Sequence, residues 1–203
     1  PEAIKMAPLI NGLIHDYKTV ICVTAQHREM LDDVLNTFNL KPDYDLNLMK
    51  PGQDLYDITS KVLMGIKDVL KAEKPDLLLV HGDTTTTFAS SLAAFYFGCR
   101  VGHVEAGLRT HNLYSPYPEE LNRQIVSKLT HFHFCPTTNN MNNLLAEKID
   151  KKNIAVTGNT VIDALLITAK LYEDKGFSEK LSNQLTFLGD KNRKMILVTG
   201  HRR

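Results

Sequence analysis

The sequence predicts an α/β fold, a doubly wound, Rossmann-like domain built on a parallel sheet. Three observations predict it. Short β-branched runs alternate with helical stretches of about a dozen residues, the pattern of βαβ units with right-handed crossovers. Residues 77–80 (LLLV) form a continuous apolar run, as a strand buried on both faces of a parallel sheet requires. Two successive predicted strands each end in a carboxylate, Asp83 and Glu105, at the edge where such sheets bind ligands.

Residues 1–15 read as a helix, with Pro1 suited to its first turn and Ile4, Leu9, Leu13 and Ile14 as apolar positions. Pro8 predicts a kink or an early interruption. Residues 19–25 (TVICVTA) read as a strand and 27–38 as a helix with Met30, Leu31, Val34, Leu35 and Phe38 on one face. A loop with Pro42 and Pro51-Gly52 leads to a long amphipathic helix over 54–71. After the strand at 77–80, helices are predicted over 85–97, 118–129, 139–146 and 161–171, with strands over 100–104, 131–135 and 154–157 between them. Residues 172–193 are polar and mixed, like a connector, and 195–199 (MILVT) read as a new buried strand. The division expected is a Rossmann-like domain over 1–165, lacking its first strand, and a connector with the first strand of a truncated second domain over 166–203. The chain is thus read as cut at both ends.

Composition narrows the class. Of 203 residues, 43% are hydrophobic and 23% charged, which suits a globular protein with a real core. A formal net charge of +1 provides no field to recruit nucleic acid or an anionic membrane. No apolar run approaches the roughly 20 residues that span a bilayer, and no signal-peptide pattern is read. Cys22, Cys99 and Cys135 are odd in number, widely spaced and set in apolar stretches, so free thiols in a reducing cytoplasm are expected.

The chemistry is expected at the strand tips. In His81-Gly82-Asp83-Thr84-Thr85-Thr86-Thr87, Asp83 stands at a tip and the threonines open a helix whose N–H groups suit a sugar or phosphate oxygen; Asp83 or Thr84 serving only as a helix cap is the plain alternative. In His103-Val104-Glu105-Ala106-Gly107-Leu108-Arg109, a surface Glu105–Arg109 pair is the alternative. In Pro118-Glu119-Glu120-Leu121-Asn122-Arg123, Glu119 also fits a helix start or an i,i+4 pair with Arg123. His131, His133 and Cys135 alternate on one face of a strand, but a fourth ligand at suitable spacing is absent, so no metal is expected. Gly158-Asn159-Thr160 is no dinucleotide fingerprint and no Walker pattern occurs, so no cofactor is expected either.

The segments PEAIKMAPL, TAQHREMLD, HGDTTTT, HVEAGLRT, PEELNRQ, TGNTVIDAL and ILVTGHRR together resemble the non-hydrolysing bacterial UDP-N-acetylglucosamine 2-epimerases, over essentially the whole chain. The resemblance implies a GT-B enzyme of two Rossmann-like domains with the active site between them. It implies Asp83, Glu105, Glu119 and His201 as catalytic residues and Lys5, Thr84, Arg123 and Arg202 at the substrate. Gln26, Arg28 and Glu29 would help hold a second UDP-N-acetylglucosamine as an allosteric activator. A cytoplasmic homodimer supplying cell-surface polysaccharide synthesis is also implied, with a UDP-sugar as its partner and no nucleic acid or membrane.

The mechanism follows from the substrate. The hydrogen on carbon 2 is not beside a carbonyl, and no nicotinamide fingerprint offers a transient oxidation. The remaining route is loss of UDP with removal of that proton, through 2-acetamidoglucal, then re-addition of UDP with protonation from the opposite face. Three carboxylates sharing a cleft should push at least one pKa upward, opposed by Lys5, Arg123 and His201. The rivals are a hydrolysing 2-epimerase, a GT-B glycosyltransferase and a non-catalytic nucleotide-sugar-binding module. Residues 1–203 alone are expected to be inactive, because catalytic groups must be held within fractions of an ångström by both halves of a cleft.

Overall fold

A computed structural model describes residues 1–24, 28–48, 50, 52–174, 196 and 198. The expectations for Gln26, His27, His201 and Arg202 lie outside the described residues, as do those for the connector beyond residue 174 and for most of the strand at 195–199.

In chain order the elements are α1 (Glu2–Leu13), β1 (Cys22–Val23), α2 (Arg28–Thr37), β2 (Tyr44–Asp45), α3 (Leu55–Glu73), β3 (Leu77–His81), α4 (Thr85–Phe97), β4 (Arg100–Val104), α5 (Glu119–Leu129), β5 (Phe132–Cys135), α6 (Thr138–Ala146), a 3-10 turn (Lys151–Asn153), β6 (Ile154–Val156) and α7 (Thr160–Asp174). Strands β3, β4, β5 and β6 pair in that order, all parallel, and β1 pairs with β2, also parallel. Because the order β3 to β6 advances in one direction, right-handed crossovers place α4, α5 and α6 on the same face. The architecture is the doubly wound α/β fold that the sequence predicts.

Local chemistry explains the helix ends. Asp54 and Asp57 form a reciprocal capping box at α3, with Asp57 N donating to Asp54 Oδ1 at 2.8 Å. Thr84 caps α4 by accepting from Thr87 N, and Gly98 ends that helix in the left-handed conformation, φ +83°.

Three expectations are corrected. Helix α1 is continuous across Pro8, with no interruption. Proline removes one rung of the ladder, and packing against α2 and α7 through Ala7, Phe38 and Ala164 holds the remainder. Among the described residues of the strand predicted at 19–25, pairing with β2 covers Cys22↔Tyr44 and Val23↔Asp45 alone. Strand β2 falls in a segment read as loop. It lacks a β-branched run and is a strand by its pairing with β1; just before it, Asp43 Oδ2 accepts from Ile21 N at 2.8 Å.

The main core lies between α3, α4, α5 and the sheet: Val62, Ile66, Leu70, Val80, Ala89, Ala93, Val101 and Val126 are all buried. Small residues on α4 let α3 and α5 approach closely. Two histidines sit among these strands. His103 on β4 and its register partner His133 on β5 are almost fully buried. Burial drives His103 down to about 3 and His133 to about 4 from the ordinary 6.5. Both therefore stay neutral in the fold while the unfolded chain begins to protonate near 6.5. The unfolded state then binds more protons, so stability falls as pH drops below about 6.5 and continues to fall toward those depressed values, by about 1.4 kcal/mol per pH unit per histidine. A falling melting temperature between pH 7.5 and 5, flattened in His133→Gln, is the expected result. A melting temperature flat across that range would refute it.

Candidate active site

The site is assembled at the carboxyl ends of the strands. After β3 the chain turns through Gly82 into Asp83, and after β4 through Glu105, whose backbone adopts φ +67°. A non-glycine residue in that region is strained, which marks a site where the surrounding fold holds a side chain in place. The two turns are tied together: Gly82 N donates to Val104 O at 3.0 Å, and His103 Nε2 lies 2.7 Å from Gly82 O. Neutral His103 donates there.

Two further residues lock the loop after β4. Gly107 has φ +88°, and a Cβ there would lie 2.3 Å from Asn140 O, so no other residue fits without moving α6. Arg109 does not pair with Glu105, contrary to the surface-pair alternative. Its side chain is fully buried and forks onto Glu147 at 2.6 and 3.0 Å, with Ser127 Oγ at 2.8 Å. It is a structural clasp between β4, α5 and α6.

Glu105 sits in a charged cluster. Lys5 Nζ donates to both of its oxygens at 2.7 and 2.9 Å. His81 Nε2 lies 3.2 Å from Oε2, and Asn159 Nδ2 donates to Oε1 at 3.3 Å. Lys5 thus stands in the first turns of α1, directly above the strand ends. His81 is held below the ordinary histidine pKa, first by burial and then by Lys5, while Glu105 pulls it back.

Asp83 and Glu119 line an adjoining cleft of about 190 Å³. The starts of three helices close it: Leu55 and Ile58 on α3, Thr84 to Thr86 at α4, and Pro118, Glu119 and Asn122 at α5. Glu105 is not in that lining. Thr84 both caps α4 and borders the cleft. Asp83 meets Arg123 Nη1 at 3.3 Å, and Asn122 Nδ2 donates to its carbonyl at 2.9 Å. Its pKa is raised, chiefly by burial; Arg123 opposes the rise, and Glu119, Glu105 and Glu2 add to it. The expected upward shift is present, but burial rather than mutual repulsion leads it. Glu119 Oε2 is buried without a hydrogen-bond partner among the described residues. A buried oxygen in that state calls for a donor from a bound molecule.

Arg123 does not take Glu119 as its i,i+4 partner. Its guanidinium meets Asp83 and, at 3.1 Å, Glu120. Glu120, fully buried, accepts from the backbone N–H groups of Thr110 and His111 at 3.1 Å each and from Gln124 at 3.0 Å. Burial raises its pKa, but these donors and Arg123 outweigh it and the net shift is downward. Glu120 therefore pins the loop before α5 and fixes the arginine that faces Asp83. The sequence by itself marks none of Glu120, His81 and Asn159 as a site residue. The rule that ligand groups follow strand ends would have found the last two, since His81 ends β3 and Asn159 follows β6. No local signal marks Glu120.

The remaining expectations are placed as follows. Arg28 and Glu29 open α2 and are exposed; Arg28 pairs with Asp32 and Asp45. His131 is exposed while His133 and Cys135 are buried, and no group of three potential metal ligands occurs among the described residues. Cys22, Cys99 and Cys135 are free thiols. No described helix is long and apolar enough to cross a membrane.

Comparison with known proteins joins this geometry to a family. A profile described as UDP-N-acetylglucosamine 2-epimerase matches residues 14–203. The UDP-N-acetylglucosamine 2-epimerases of Yersinia pestis and Salmonella typhimurium are 56% and 57% identical over 206 residues, all of this chain and 54% of each relative. A crystal structure of the Neisseria meningitidis UDP-GlcNAc 2-epimerase bound to UDP-GlcNAc superposes with a TM-score of 0.88 at 53% identity, covering 94% of this chain and 52% of that one. The Methanocaldococcus jannaschii UDP-GlcNAc 2-epimerase in complex with UDP-GlcNAc and UDP gives 0.84 at 36% identity, covering 91% and 51%. The chain spans about half the length of the relatives it matches.

Proposed function

Because the chain belongs to the UDP-N-acetylglucosamine 2-epimerase family, we propose that the full-length protein carrying it reversibly interconverts UDP-N-acetylglucosamine and UDP-N-acetylmannosamine without hydrolysis. The observation that carries the reading is the pair of acid groups in different environments at adjacent strand tips. Burial raises the pKa of Asp83, while Glu105 is gripped by a lysine. That division suits one group giving and another taking a proton on opposite faces of a sugar.

In the proposed reaction the bond from carbon 1 to the phosphate oxygen breaks and its electron pair leaves with UDP. A carboxylate takes the proton from carbon 2, whose electrons form the double bond of 2-acetamidoglucal. UDP then adds back at carbon 1 as the second acid protonates carbon 2 from the other face. Nothing is consumed, so no cofactor is required. Asp83, Glu105, Glu119 and His201 are the proposed catalytic residues, and Lys5, Thr84, Arg123 and Arg202 the substrate-binding ones. The α4 start and the cations would stabilise departing UDP.

We assign residues 1–165 to the first Rossmann-like domain of a GT-B enzyme and 166–203 to the passage into its second. Gln26, Arg28 and Glu29 are proposed to contact an activating second UDP-N-acetylglucosamine. A cytoplasmic homodimer serving polysaccharide synthesis completes the reading.

The test is isotopic. In deuterium oxide the product should carry solvent deuterium at carbon 2, and oxygen-18 in the anomeric bridge should scramble into the β-phosphate. Full retention of the original hydrogen would end the proposal. Release of free N-acetylmannosamine would instead mark a hydrolysing enzyme.

A further inference from the structure

We propose that Asn159 is a positioning residue that aims the Glu105 carboxylate, a role that rests on the assignment of Glu105 as an acid–base group. Lys5 reaches both oxygens of Glu105 at similar distances, so it supplies charge but little direction. Direction comes from Asn159. Asn159 Oδ1 accepts from Val161 N at 3.1 Å at the start of α7, which fixes the amide so that its Nδ2 faces Glu105 Oε1 at 3.3 Å. On the other side His81, buried at the end of β3, places Nε2 3.2 Å from Oε2. Asn159 thus donates to one oxygen from the turn after β6, while His81 from β3 stands against the other without completing a hydrogen bond. With the backbone of Glu105 already held at φ +67°, the side chain is fixed from both ends. Aiming a proton-transfer group to within fractions of an ångström is the purpose such supporting contacts serve.

The charged groups that surround Glu105 are Lys5 and Glu2 from α1, and His81 and Asp83 from the end of β3, with Arg123 and Glu119 on α5 beyond Asp83. Asn159 is the hydrogen-bonded contact of Glu105 that does not titrate, so its substitution separates positioning from charge. In the full-length protein, Asn159→Ala should lower kcat about tenfold with KM within about twofold, the signature of a contact that matters in the transition state. Asn159→Asp puts a second carboxylate against Glu105, and should move the acidic limb of the kcat/KM profile upward by about one pH unit. A kcat loss that only tracks a lost folded fraction, with the limb unmoved, would overturn the inference. So would wild-type kinetics in both variants. If Asn159→Asp does not fold by circular dichroism, the kcat-against-KM split in Asn159→Ala decides. Glu105→Gln run alongside keeps the two ideas apart: if it retains turnover, the acid–base assignment itself fails; if it loses turnover while the Asn159 variants behave as wild type, only the positioning role fails.

Discussion

Asp83→Asn, Glu105→Gln and Glu119→Gln should each lower turnover of the full-length protein by at least about a hundredfold, the usual scale for a lost acid–base group. The reason differs at each position. Burial raises the pKa of Asp83, and an amide in its place has no acidic proton to deliver to carbon. Glu105→Gln removes the negative charge that faces Lys5 and loses the capacity to take a proton. Glu119 presents a buried, unpartnered oxygen at the cleft, which the amide of Gln would fill in part with a donor. Circular dichroism melts should remain near wild type, since the substitutions are close to isosteric. Turnover near wild type in any one variant would return that residue to a helix-start or ion-pair role.

Glu120→Ala should cost about 3 to 5 kcal/mol of folding stability, the scale for removing one partner of a buried charge pair. The substitution leaves the Thr110 and His111 N–H groups without their acceptor and strands the buried guanidinium of Arg123 beside Asp83 alone. A domain stable by only about 5 to 15 kcal/mol would be left marginal. Glu120→Gln, which keeps a side-chain acceptor for the backbone donors, should lose less. Urea denaturation of the two variants measures the difference. A loss for Glu120→Ala below about 1 kcal/mol would mean that water replaces the carboxylate at no cost. The downward pKa shift of Glu120 adds a sign: its contribution is fully present above the ordinary glutamate value of 4.5 and fades as pH falls through the lower folded value.

Both predictions concern acidic residues of neighbouring elements, yet only one kind was visible in the sequence. Asp83 and Glu105 could be singled out because alternating strands and helices determine which end of each strand faces the ligand, and because each residue stands just past a predicted strand. The same locality explains why α4 and β4 were placed to the residue and why Asp54 was found at the start of α3. Hydrophobic period, β-branching and caps act over a few residues, so one strand of sequence carries them whole. The short strand β2 escaped because its pairing, rather than its composition, makes it a strand.

What only the tertiary structure decided is the partner of each charge and the route of the chain across Pro8. Arg109 belongs to Glu147, 38 positions away, and Lys5 to Glu105, 100 positions away, whereas sequence spacing had offered Glu105 and Glu119 as the local partners of Arg109 and Arg123. On an exposed helix the i,i+4 neighbour competes well, because water screens every alternative equally. Once helices close over the strand ends, burial strips that water away, and an ion must take whichever opposite charge the packing has brought within reach.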